Sequence, residues 1–287
     1  MNDHLSSIRL GTAEGRSDGV EFACKEEGSG KPVIFVHGSL GSWADFSRQV
    51  HTFGKDYRAL SYSRRFHPPN PCIAGAPYTL RRHAEDLAAV IDALAVERPA
   101  VVACSWGGCA VLLCAILHPG LLGSLVLCEP PMLPLLERVP EGTKLAADFR
   151  DAVLVPATAA FNRGDAADGI CRFFDGIAGK NGSFDALPPS AKERLLEAGP
   201  ELQLEFQTDP HLYMPALPDE LLAGVDIPVL LLEGERSPRM FGVITDELAH
   251  ILPNTRRETI SRAGHSMQMN NPEAFDGAVA SFLREID

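Results

Sequence analysis

The segment Ala103-Cys104-Ser105-Trp106-Gly107-Gly108 sets a serine between an apolar run and a helical pattern, with small residues on either side of it. This spacing suits a nucleophilic hydroxyl. A sharp strand-to-helix turn pushes the side chain outward, and small neighbours let the two backbones pass closely. Alanine stands at 103 where the strict pattern has glycine, and it still meets the need for a small side chain. A serine hydroxyl needs a base, and Ala263-Gly264-His265-Ser266 offers one on a loop between the strand-like 257–260 and the helix-like 272–283. The imidazole in turn needs a carboxylate to hold its tautomer and stabilise its charged form. Glu129, in Cys128-Glu129-Pro130-Pro131 at the end of the apolar run 124–128, is the first candidate, with Glu235 as the alternative. In Val36-His37-Gly38-Ser39-Leu40-Gly41, glycine lets a backbone N–H approach a developing negative charge. One donor is expected from Ser39 or Leu40 and the other from Trp106.

A literal Gly-x-Ser-x-Gly lies at Gly15-Arg16-Ser17-Asp18-Gly19, in a polar turn between two strand patterns, and that context rejects Ser17. His4, His51, His83, His118, His211 and His250 are expected on surfaces or helix ends, and His67 remains a candidate pocket residue. Arg64 and Arg65 are either structural anchors or contacts for a polar substrate group.

Positioning these groups requires a parallel sheet. Two short strands are expected over 7–10 and 20–24, then apolar runs at 32–36, 59–62, 100–103, 124–128 and 228–232. Runs without alternation fit strands covered on both faces. Helical patterns lie between them, clearest over 79–95 and from 105 or 106 to 117. Alternation of strand and helix predicts an α/β chain with helices on both faces of the sheet. From 132 to 222 the alternation stops, and a proline-punctuated, helix-rich stretch reads as an inserted cap. The core is then 1–131 and 223–287.

The chain resembles the α/β-hydrolase-fold enzymes that carry a helical cap. The likeness covers about 30–130 and 226–285, through the His37-Gly38 segment, the turn at Ser105, Gly234-Glu235 and the Gly264-His265 loop. In that family the acid usually follows the strand represented here by 229–232, where Ser237 takes its place. Some haloalkane dehalogenases and zearalenone-type lactone hydrolases of the family carry the acid after the strand that follows the nucleophile helix. That arrangement corresponds to Glu129. A second departure is Tyr62-Ser63-Arg64-Arg65-Phe66-His67, where relatives commonly have Asp-x-x-Gly-His-Gly.

With serine as nucleophile, the resemblance implies acyl transfer on an ester or lactone of an uncharged or weakly polar small molecule. Expected substrate contacts are His37, Gly38, Trp106 and Met132. Carbon–carbon bond hydrolysis, cofactor-free peroxidation, and a ligand receptor without turnover use the same scaffold and stay as alternatives. No cofactor and no metal are called for, since neither a His-x-x-x-His nor a Cys/His cluster occurs.

Composition narrows the partners. The chain has 287 residues, 45% of them hydrophobic, enough to bury a substantial core. Its net charge of −12 disfavours nucleic acid, anionic membranes and strongly anionic substrates. A small-molecule substrate is expected, and a homodimer stays open. No secretory signal or apolar span is visible, so a cytoplasmic location is expected. The 7 cysteines, with no Cys-x-x-Cys pair, read as buried apolar residues in a reducing compartment.

Overall fold

The apolar runs become the middle of a single sheet in the computed structural model, which describes residues 5–10 and 20–286. His4 and the Gly15–Gly19 motif lie outside the described residues. Eight strands form it: β1 (Ser6–Arg9), β2 (Glu21–Glu27), β3 (Pro32–Val36), β4 (Arg58–Tyr62), β5 (Ala100–Cys104), β6 (Ser124–Cys128), β7 (Val229–Gly234) and β8 (Thr255–Ile260). All were expected, with ends shifted by a few residues. Their order is β1-β2-β4-β3-β5-β6-β7-β8. The first two pairings, β1 with β2 and β2 with β4, are antiparallel, and from β4 onward every pairing is parallel.

Side-chain alternation divides the core in two. Ile34, Val36, Val101, Ala103, Leu125 and Leu127 face one layer, against α2 (Leu80–Leu94), α3 (Trp106–Leu117) and α11 (Arg239–Ile251). Val33, Phe35, Val102, Val126 and Leu230 face the other, against α1 (Ser47–Phe53) and α13 (Pro272–Ile286). Burial on both faces is why these strands read as continuous apolar runs. Thr79 caps α2 by accepting from Arg82 N, and α2 ends at Ala95 in the left-handed region, closing its last turn.

Among the described residues, only helices and turns connect β6 to β7. They include α4 (Pro140–Phe149), α5 (Val155–Asn162), α6 (Ala166–Ala178), α7 (Pro189–Glu197), α8 (Gly199–Gln207), α9 (Pro210–Tyr213) and α10 (Asp219–Ala223). Part of this insertion has its own small core, Ala157, Phe161, Ile170, Phe184, Ala198 and Leu202, and one residue of the loop after β3 enters it: Leu40. Burying such a side chain contributes about 1.5–3 kcal/mol, so the insertion grips that loop.

All seven cysteines are free, and five are buried. Burial pushes the Cys24 thiol up to about 11 and the Cys114 thiol up to about 12, which suits inert core residues. Among the described residues no helix is long and apolar enough to cross a membrane.

Candidate active site

β3 pairs with β4 on one side and β5 on the other, so the chain reverses direction across the sheet there. At such a point the loops beyond the strand ends diverge and leave a crevice. The loop after β3 and the turn after β5 meet in it. A Cβ added at Gly38 would lie 2.8 Å from Ser105 Cβ, and one at Gly107 would lie 2.3 Å from His37 O. Both positions therefore require glycine.

Ser105 sits between β5 and α3 at φ 51° and ψ −133°, a conformation that costs a non-glycine residue of order 1–3 kcal/mol. The turn is held by Ser105 N donating to Cys128 O at 2.8 Å and Gly108 N donating to Ser105 O at 2.8 Å. The result is a hydroxyl presented to a cavity of about 560 Å³ that His265 also lines.

His265 follows β8 on the loop before α12 (Met267–Asn270). Its Nδ1 lies 2.7 Å from Glu129 Oε2, and its ring stacks on Phe241 with centroids 4.2 Å apart. Glu129 is 1% exposed, at φ 48°, and its Oε1 accepts from Gly234 N at 2.7 Å. Two hydrogen bonds thus satisfy a buried carboxylate, as burial demands. A carboxylate on Nδ1 keeps the proton there and leaves Nε2 with its lone pair. Nε2 is buried and has no hydrogen-bond partner among the described residues. Glu235, by contrast, is exposed and accepts from Arg262 N. Ser237 Oγ is buried without a partner among the described residues.

Several expectations change. Of the two expected donors in the loop after β3, Leu40 N is already turned toward Glu201 Oε2 at 3.4 Å, while Trp106 opens α3 directly after Ser105. His37 does not face the cavity: it is fully buried, with Nδ1 2.9 Å from Gly38 O and Nε2 accepting from Arg64 N at 2.9 Å. Trp106 also points away, because its fully buried indole stacks on Tyr213 and carries the Arg64 guanidinium 4.8 Å from its centroid. Met132 belongs to the main core. Of the four expected substrate contacts, only Gly38 lines the cavity. His83 lies at a helix end, in the first turn of α2, but it is buried beside Arg64 and Trp106 and not on a surface. His67 is fully buried and outside the cavity lining, and Arg65 pairs with Asp86 at 2.6 and 2.7 Å.

The cavity is lined instead by residues with weak sequence signals. Phe173, Phe174 and Ile177 of α6 and Leu195 of α7 give it an apolar wall, while Asp45 and Arg194 give it charge. Burial pushes the Asp45 carboxyl up to about 7, against the backbone of Ser42 and the Arg194 charge, which both lower it. Because the folded value lies above the unfolded one of about 3.9, ionisation costs the folded state. The penalty is absent below pH ~4, grows as pH rises toward 7, and is constant above that. Asp45→Asn is therefore expected to raise the melting temperature more at pH ~8.5 than at pH ~5, by about 2–4 °C per kcal/mol of penalty removed. Differential scanning calorimetry at the two pH values checks this, and an equal gain at both would contradict it.

Known proteins match this framework along most of their length. The chain is 25% identical over 295 residues to a Bacillus subtilis protein provisionally named a 2-succinyl-6-hydroxy-2,4-cyclohexadiene-1-carboxylate synthase, covering 94% of this chain and 97% of that one. It is 26% identical over 283 residues to the non-heme chloroperoxidase CPO-A1 of Kitasatospora aureofaciens, covering 93% and 98%. The solved structure of an N-acyl homoserine lactone degrading enzyme superposes with a TM-score of 0.74 at 21% identity, covering 96% of this chain and 99% of that one. The profile of the alpha/beta hydrolase fold matches residues 31–272, and the chain belongs to that family.

Proposed function

We propose that the protein is a serine hydrolase that cleaves an ester or lactone of an uncharged or weakly polar small molecule through an acyl-enzyme on Ser105. One observation carries this: a strained serine faces the same cavity as a histidine whose Nδ1 is 2.7 Å from a buried carboxylate. Ser105 Oγ attacks the carbonyl carbon as its proton passes to His265 Nε2. The N–H groups of Ser39 and Trp106 hold the oxyanion. Collapse breaks the bond to the leaving alkoxide, which takes the proton back from His265; water then repeats the sequence on the acyl-enzyme. For a lactone the alkoxide stays tethered to the acyl chain until water releases both. Glu129 keeps the imidazole oriented and stabilises its charged form throughout.

The helical insertion acts as a cap. Its aromatic and aliphatic wall suits an apolar acyl or alkyl portion. The lactone-degrading neighbour has the same fold, which makes lactones and short esters the first substrates to screen.

Incubation with a small dialkyl fluorophosphate, followed by intact mass and peptide mapping, tests the assignment. A single adduct on Ser105 is expected. Folded protein that stays unmodified in excess probe, or is modified at another serine, would overturn it.

A further inference from the structure

Glu201 and Glu205 stand one turn apart on α8, and both are buried, at 0% and 3% exposure. Carboxylates are almost never so buried without partners, and the spacing alone reads as an ordinary solvated helix face. Here their partners come from the core. Glu205 Oε2 accepts from Ser39 Oγ at 2.8 Å and from Tyr213 OH at 2.7 Å, while Oε1 accepts from Tyr78 OH at 2.9 Å. Glu201 Oε2 accepts from Leu40 N at 3.4 Å, and Oε1 lies 3.0 Å from His67 Nε2.

The same loop is held from its other side. Arg64 donates to His37 O at 2.9 Å and Gly38 O at 3.0 Å, and its Nη1 reaches Tyr78 OH at 3.0 Å. His67 Nδ1 donates to Gly41 O at 3.0 Å. The loop after β3 is thus pinned between Arg64 and His67 of the core and two glutamates of the insertion.

Charge decides what the cluster contains. Burial, then Arg64, holds His67 well below its ordinary range, so its ring is neutral with the proton on Nδ1. The Nε2 lone pair then faces both Tyr78 OH and Glu201 Oε1, each 3.0 Å away. Two carboxylates against one guanidinium require one further positive charge for neutrality. One shared proton supplies it, and burial raises both glutamates, Glu205 the more. His67, Glu201 and Glu205 bring ligand atoms within 4.8 Å of one another, a grouping that could hold a metal ion. Glu205 already accepts three hydroxyl donors, however, and Arg64 already brings positive charge, so a proton suffices.

We propose that Glu205, with Glu201, is a positioning residue that sets the Gly38–Leu40 backbone so that Ser39 N–H meets the oxyanion. The insertion then completes the catalytic machinery as well as roofing the cavity. This rests on the serine-hydrolase assignment above.

The test compares Glu205→Ala, Glu205→Gln and Ser39→Ala with wild type in the full chain. The readouts are kcat and KM on a short p-nitrophenyl ester, the affinity for a trifluoromethyl ketone, and the melting temperature. A trifluoromethyl ketone forms the tetrahedral oxyanion, so its affinity reports the hole and not the general fold. Glu205→Ala is expected to lower kcat by about 10²-fold, the scale of losing one oxyanion donor, with ketone affinity falling in parallel and KM nearly unchanged. Glu205→Gln is neutral and keeps an acceptor, so it is expected to recover most of that loss. Folded Glu205→Ala with kcat and ketone affinity within about threefold of wild type would overturn the proposal. If that variant does not fold, Ser39→Ala decides: it removes only the hydroxyl tie and is expected to cost about tenfold in kcat and ketone affinity together. No change in either would overturn it. Failure of the underlying assignment looks different, because turnover would then survive Ser105→Ala.

Discussion

Ser105→Ala is expected to lower kcat on a short ester by about 10⁶-fold, leaving the residual rate that oxyanion donors and binding supply. The size follows from chemistry, because without Oγ no acyl-enzyme forms and water must attack the substrate directly. The KM should change little, since the hydroxyl contributes little to ground-state binding. Alanine keeps the Cβ, so the backbone at φ 51° stays as strained as before and the melting temperature should hold. Steady-state kinetics with a burst-phase measurement check this. Loss of less than about tenfold would remove Ser105 from the chemistry altogether.

Glu129→Gln comes second, with an expected loss of about 10⁴-fold in kcat and little change in KM. Glutamine has the same shape and can still accept from Gly234 N with its carbonyl oxygen. Its amide nitrogen then faces His265 Nδ1 and donates, which moves the imidazole proton to Nε2. Nε2 can no longer accept the proton of Ser105. Glu235→Gln is the control, expected to leave kcat unchanged because that carboxylate is exposed and bonds only Arg262 N among the described residues. If Glu235→Gln instead proved the costly change, the histidine would draw its support from the other loop and the assignment of Glu129 would fall. Fluorophosphate labelling should slow in Glu129→Gln in proportion to kcat, separating a tautomer effect from a lost substrate contact.

Much of this architecture was legible in the chain. Strands buried on both faces must be apolar throughout, so 32–36, 100–103 and 124–128 declare themselves as the centre of a parallel sheet. The small residues around Ser105 announce a turn where two backbones touch, since a side chain at Gly107 would meet His37 O at 2.3 Å. Glu129 and His265 could be nominated because strand ends of a parallel sheet converge on one edge, whatever the distance in sequence.

What lines the cavity was not legible, and the reason is geometric. His37, Trp106 and Met132 neighbour the loops in sequence, but a residue next to a sharp turn points to the opposite side from its neighbour. Trp106 therefore enters the core while Ser105 faces the cavity. Asp45, Arg194 and the α6 aromatics reach it from helices whose docking depends on packing between distant segments. The glutamates show the limit most clearly. Glu201-Leu202-Gln203-Leu204-Glu205 is an unremarkable helical stretch, and two acids four residues apart normally face water. Only the tertiary structure brings Arg64, His67, Tyr78, Tyr213 and the loop after β3 against that face, supplying the donors that make burial of both carboxyl groups tolerable. Local pattern determined the sheet and the chemistry it could carry. The fit of the insertion onto the core decided what surrounds the serine, because side-chain partners far apart in sequence leave no periodicity to read.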